Sequence, residues 1–161
     1  MNYRVQVITV SDKGARGERV DTSGPAIKRR LGKDYSVGEI VIVPDEVDSI
    51  AAAIVRAVDE DGVDLVVTTG GTGLAPRDVT PEATRSVIDR DLPGFAEAMR
   101  AGSFKITPHA IISRALCGIR GTSIIINLPG SEKAATECLG FIIAAIPHAL
   151  AKVKGDPSDC A

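Results

Sequence analysis

Apolar positions along this chain fall into short β-branched runs separated by stretches with helical spacing. Tyr3 to Val10 (YRVQVITV) contains no Gly or Pro and predicts a buried first strand. A polar loop with Gly14 and Gly17 follows. Asp21-Thr22-Ser23 then supplies capping oxygens ahead of Pro25, which suits the first turn of a helix ending at Gly32. Glu39 to Val43 predicts a second strand, broken by Pro44-Asp45. Asp48 is the expected cap of a helix reaching about Asp61, with Ile50, Ile54, Val55 and Val58 on its apolar face.

Leu65 to Thr69 predicts a third strand that stops at Gly70-Gly71-Thr72-Gly73. Thr80 is the expected cap, and Pro81 the first residue, of a helix running to about Arg90. After Leu92-Pro93-Gly94 a short helix is expected around Phe95, Ala98 and Met99, and Pro108 opens a mixed stretch. Ser123 to Leu128 predicts a last strand, ended by Pro129-Gly130. Glu132 to Val153 predicts a helix broken near Pro147, and residues 155–161 a polar tail. Strands alternating with helices predict one α/β domain, a three-layer sandwich with a mainly parallel sheet. Such sheets bind ligands beyond the C-terminal ends of their strands.

Composition narrows the function classes. Nineteen Lys+Arg against 21 Asp+Glu give a formal charge of -2, and aromatics make up only 3%. With neither a basic stripe nor a stacking platform, no nucleic-acid partner is expected. The longest apolar run, Phe141 to Pro147, is far short of the ~20 residues that span a bilayer, and no charged-then-apolar leader opens the chain. The expectation is therefore a cytoplasmic protein with no membrane contact. Cys117, Cys138 and Cys160 show no C-x-x-C spacing and are expected to be reduced thiols without a role. His109 and His148 have no partners at metal-ligand spacing, so zinc is not expected.

The candidate chemistry lies at the predicted strand ends. Three glycines directly after an apolar strand let the backbone approach a ligand and aim N–H groups at oxyanions, although a tight strand-to-helix turn would use the same residues. The run Thr68 to Gly73 is neither a P-loop nor a dinucleotide fingerprint. Asp45 and Asp78 each follow a strand end and should face the same rim. Two such carboxylates could share Mg²⁺ with phosphate oxygens, or each could simply cap a turn. Ser11-Asp12 and Leu128-Pro129-Gly130-Ser131 bring further small polar loops to that rim. Lys105, Arg114 and Arg120 add cations, for which solvated surface positions are the default.

Taken together, Ser11-Asp12, Pro44-Asp45-Glu46, TTGGTG at 68–73, PRDVTPEAT at 76–84, Leu92-Pro93-Gly94-Phe95, Ser113-Arg114 and Leu128-Pro129-Gly130 resemble the molybdopterin adenylyltransferases of the Mog and MoaB type. The resemblance runs from about Val5 to Gly155 and implies a molybdopterin-binding-domain-like fold. It also implies Mg²⁺-assisted attack of the pterin's phosphate on ATP, giving adenylylated molybdopterin and pyrophosphate. In this sequence it implies that Asp45 and Asp78 are the essential acidic pair and the Mg²⁺ ligands. Ser11, Gly70, Gly71, Thr72, Gly73, Pro129 and Gly130 would serve the phosphates and nucleotide, and Ser103, Ser113 and Arg114 the pterin. A homotrimer is implied, some family members being hexamers, with hand-over of product to a molybdenum-insertion protein. Two alternatives are a non-catalytic pterin-binding scaffold and a domain hydrolysing nucleotide pyrophosphates. The apolar Phe95, Met99, Phe104 and Ile106 fall outside the regular βαβ core pattern and are the candidate subunit interface, packing within the subunit being the alternative.

Overall fold

The computed structural model describes residues 2–159. Its central sheet has seven strands: β1 (Tyr3–Val10), β2 (Tyr35–Val37), β3 (Val41–Val43), β4 (Leu65–Thr69), β5 (Arg90–Asp91), β6 (Cys117–Arg120) and β7 (Ser123–Leu128). They are ordered β2-β1-β4-β7-β6-β5, with β3 continuing the β2 edge against the second half of β1. β1, β2, β3, β4 and β7 are parallel, and only β6 runs against its neighbours.

Because strand side chains alternate faces, the sheet divides its apolar residues between two cores. Tyr3, Val5, Val7, Leu65, Val67, Ile124, Ile126 and Leu128 face one layer of helices. That layer holds α2 (Ser23–Leu31), α5 (Pro93–Phe104), α6 (Glu132–Ile142) and α7 (Ile146–Val153). Ile8, Val10, Val66 and Ile125 face α3 (Val47–Val55) and α4 (Thr80–Arg85) on the other side. This is the expected three-layer sandwich. Both faces of the central strands are covered, which is why they read as continuous apolar runs rather than as alternation.

Several local expectations are corrected. The loop after β1 contains a single helical turn, α1 (Asp12–Ala15), capped by Ser11. The second strand is shorter than 39–43, and β2 lies before it; β5 and β6 went unread because two-to-four-residue strands leave little periodic signal. Asp48 stands within the first turn of α3, whose cap is Glu46, and the last turn of the predicted helix is π-helical over Arg56–Glu60. Thr80 is likewise the first residue of α4 rather than its cap, because its hydroxyl is committed elsewhere. α6 and α7 are bent by 65° at the break before Pro147. Among the described residues no single helix is long and apolar enough to cross a membrane.

Met99 is buried in the first core and Phe95 is partly buried against it, whereas Phe104 and Ile106 are exposed. Cys117 and Cys138 are buried free thiols, and burial pushes the Cys117 thiol up to about 12. Cys160 lies outside the described residues.

Candidate functional site

Parallel registration brings four strand ends to one level. Val10 pairs with Val43, Thr9 with Thr69, and Thr69 with Leu128. The loops starting at Ser11, Pro44, Gly70 and Pro129 therefore emerge side by side on the C-terminal rim. Ser11 N donates to Val43 O at 2.9 Å and Gly70 N to Leu128 O at 3.1 Å, which carries the sheet's pairing one residue into the loops. Thr69 Oγ1 donates to Pro129 O at 2.7 Å and ties the glycine loop to the last one.

The glycine loop is folded back by Thr80. Its Oγ1 donates to Gly70 O at 2.8 Å and its backbone N to Gly71 O at 3.1 Å. Gly70 and Gly71 have φ of 102° and 68°, a region that side-chain-bearing residues rarely adopt. A β-carbon on Gly70 would collide with Val10 O, and one on Gly71 with Thr80 Oγ1. Gly73 does not have positive φ; what it requires is space, since a β-carbon there would lie 2.8 Å from Asp78 Oδ2. Among the described residues, the N–H groups of Gly71, Thr72 and Gly73 donate to no protein acceptor. Three adjacent free donors in a fixed loop fit an anion cradle better than a turn that merely reverses the chain.

This loop is the partition between two cavities. The first, of about 720 Å³, is polar and contains Ser11, Asp45, Gly70, Gly71, Asp78 and Gly130. The second, of about 270 Å³, has mostly apolar walls and contains Thr72, Gly73, Ser103, Ser113, Pro129 and Cys138. The expected phosphate-side residues are thus divided: Thr72, Gly73 and Pro129 face the second cavity, and the others the first. Ser103 and Ser113 both reach the second cavity, where Ser103 Oγ lies 3.3 Å from Cys138 Sγ. Arg114 lines neither cavity. Its guanidinium donates to Gly73 O, Asp78 O and Glu82.

Asp45 and Asp78 do share the rim, each half-buried. Asp45 Oδ2 accepts from Asp12 N at 2.8 Å, while Asp12 Oδ1 accepts from Asp45 N at 3.0 Å. Arg77 forks onto Asp12, Nε to Oδ2 at 3.0 Å and Nη2 to Oδ1 at 2.8 Å, and this contact chiefly holds the Asp12 carboxyl below the usual range. Asp45 is pushed the other way, first by burial and then by the charges of Asp12 and Asp78. Asp78 Oδ2 accepts from Ala75 N at 2.9 Å, closing the turn that carries it.

A hard divalent cation fits this donor set. Carboxylate oxygens are its natural ligands, and a cation would relieve the repulsion felt at Asp45. Among the described residues no group of three or more His, Cys, Asp or Glu could hold a metal by itself. Any such ion would take its remaining ligands from water or from a ligand's own oxygens. Ser11 lines the cavity, but its Oγ accepts from Gly14 N at 3.0 Å as the α1 cap.

The sequence did not mark Thr80 as the loop's clamp, nor Asn127. Asn127 is fully buried: its Nδ2 donates to Thr68 Oγ1 and Thr84 Oγ1, both at 2.9 Å, and its Oδ1 accepts from Leu116 N at 3.1 Å. An amide inside the apolar stretch of SIIINL was the available signal, since a buried amide must satisfy both ends.

The family described as a probable molybdopterin binding domain matches residues 6–148. A molybdopterin adenylyltransferase of Helicobacter pylori (strain J99) is 45% identical over 94% of this chain and 88% of its own length. The molybdenum cofactor synthesis protein cinnamon of Drosophila melanogaster is 42% identical over 94% of this chain, which spans only 26% of that larger protein. The crystal structure of the molybdopterin biosynthesis enzyme MoaB of Thermus thermophilus superposes with a TM-score of 0.90 at 48% identity, covering 98% of this chain and 99% of that one. Since these similarities run through both cavities and the loop between them, the protein belongs to the molybdopterin-binding domain family.

Proposed function

We propose that this chain is a molybdopterin adenylyltransferase, joining the terminal phosphate of molybdopterin to the α-phosphorus of ATP and releasing pyrophosphate. The observation that carries this reading is the glycine loop standing between an acidic, polar cavity and a mostly apolar one. The nucleotide's phosphates belong beside Asp45, Asp78, Ser11, Gly70, Gly71 and Gly130, and the pterin beside Ser103 and Ser113. The two phosphates then meet at Gly71, Thr72 and Gly73, whose free N–H groups can donate to them.

The attacking group is already an anion, so no side chain has to remove a proton from it. What the chain must do is bring two phosphates together in line and compensate their charge. The fixed backbone donors do this without reorganising at the moment of reaction. Asp45 and Asp78 would hold Mg²⁺, which when bound neutralises phosphate oxygens and polarises the leaving pyrophosphate. The Asp12–Arg77 fork keeps Asp45 in place, and the Ala75–Asp78 turn does the same for Asp78.

Assembly as a homotrimer or a hexamer belongs to the same reading. Exposed Phe104, Ile106 and Phe141 support it. A cytoplasmic site of action and transfer of the product to a molybdenum-insertion protein complete it.

Incubating the protein with ATP, molybdopterin and Mg²⁺ and separating the products tests the proposal. Adenylylated pterin with equimolar pyrophosphate is the expected result. Pterin binding without turnover would identify a scaffold, and cleavage of ATP without pterin a nucleotide pyrophosphate hydrolase; either overturns it.

A further inference from the structure

Arg114 follows Ser113, which forms part of the apolar cavity's wall, but the arginine side chain leaves that cavity. Its backbone N donates to Thr72 O at 2.9 Å, its Nε to Gly73 O at 2.8 Å and its Nη2 to Asp78 O at 2.6 Å. Nη1 pairs with Glu82 at the start of α4. The guanidinium donors are thus directed at protein acceptors on both ends of the segment 73–78.

That segment has few other attachments. The bonds Asp78 N to Ala75 O at 2.8 Å and Ala75 N to Asp78 Oδ2 at 2.9 Å close it on itself, and Leu74 projects outward at 65% exposure. Beyond these, Arg77 ties it to Asp12 on the polar side, and Arg114 ties it to the apolar cavity's wall. The wall is itself anchored, since Arg100 Nη1 donates to Ser113 O at 3.3 Å and to Ala115 O at 2.9 Å.

Resting on the function proposed above, we infer that Arg114 is a positioning residue for adenylyl transfer. It holds Asp78 in register with the glycine loop through the carbonyls of Gly73 and Asp78, and it does not bind the pterin. Only a planar fork can reach two diverging carbonyls and a carboxylate at once. A lysine would keep the charge and lose the geometry.

Arg114→Lys separates these roles, with Glu82→Gln as the control that removes the ion pair but leaves the bonds to the loop carbonyls. Amide hydrogen exchange on the ligand-free full chain, which involves no activity, should show faster exchange at Ala75, Asp78 and Thr80 in Arg114→Lys. The amides of β4 should remain protected, reporting an intact fold. kcat should fall by about 10²-fold, the usual penalty for a small misplacement of reacting groups, with an unchanged Kd for molybdopterin. Glu82→Gln should resemble the wild type in all three measurements. Unchanged exchange in Arg114→Lys, wild-type kcat despite faster exchange, or a weakened Kd for molybdopterin would each overturn the inference. A wild-type protein that makes no adenylylated pterin would instead overturn the proposed function, and exchange would still report whether Arg114 holds the loop.

Discussion

Asp12 and Asp45 each accept the other's backbone N–H, at 2.8 and 3.0 Å, so the loops after β1 and β3 are locked through two carboxylates that repel one another. The arrangement survives because Arg77 forks onto Asp12 and because both backbone donors favour the charged forms. It leaves Asp45 with a carboxyl that ionises less readily than usual, so stability is given up at a candidate site residue.

Asp45→Asn keeps an oxygen for Asp12 N and removes the charge. Because the native pKa of Asp45 lies above its unfolded value, its ionised form destabilises the native state. That deficit is fully present above the native pKa and disappears below the unfolded one. Without Mg²⁺, Asp45→Asn should therefore unfold at a higher temperature than wild type at pH 7, and the gap should close as the pH is lowered through the carboxylate range. Thermal unfolding followed by circular dichroism at several pH values checks this. A variant less stable than wild type at pH 7 would contradict it.

Asp78→Asn should bind molybdopterin normally and lose turnover by about 10²-fold or more, the usual consequence of removing electrostatic stabilisation from a transition state. Single-turnover formation of adenylylated pterin is the measurement. A wild-type rate would remove Asp78 from the chemistry.

Gly71→Ala and Gly73→Ala should fail differently. At Gly71 the methyl group meets Thr80 Oγ1 and the φ of 68° is unfavourable, so the loop's clamp should break and the protein lose stability as well as activity. At Gly73 the backbone is permissive, and the methyl group presses only on Asp78 Oδ2. That variant should fold with near-normal stability and lose turnover. Thr80→Val, which strands the Gly70 carbonyl, should resemble Gly71→Ala, with a stability loss of about 1–3 kcal/mol. Thermal unfolding beside the turnover assay distinguishes the two kinds of failure.

Ser103→Ala should weaken molybdopterin binding and spare ATP, because Ser103 lines only the apolar cavity. Separate titrations with each ligand decide, and an equal effect on both would place Ser103 outside the pterin's contacts.

Sedimentation equilibrium at micromolar concentration should give a species three or six times the 16.8 kDa chain mass. Phe104→Glu with Ile106→Glu should shift it toward the monomer, since charges buried at an apolar contact are strongly unfavourable. A wild-type monomer would exclude the assembly.

The layering of the molecule was already written in the order of its residues. Runs such as LVVTT and SIIINL are apolar on both faces, so they are stable only between two layers of helices, and Pro and Gly mark where each must stop. The rim was legible too, because parallel strands joined by helices bring their C-terminal loops to one side. Asp45, Asp78 and the glycine loop stood out there as candidates, but by type and position alone they suit ordinary caps and turns equally, and it was the combined motif spacing that favoured a site. Which residues meet across distant segments was a matter for packing. Asp12 finds Asp45 because β1 and β3 pair in register, and Thr80 turns from a cap into a clamp because Gly70 O lies within its reach. Arg114 points away from the cavity its neighbour lines. No local pattern encodes such choices, because each depends on where a partner remote in sequence is placed, and the short strand β6 forms on the edge that β7 offers, as β5 does on that of β6.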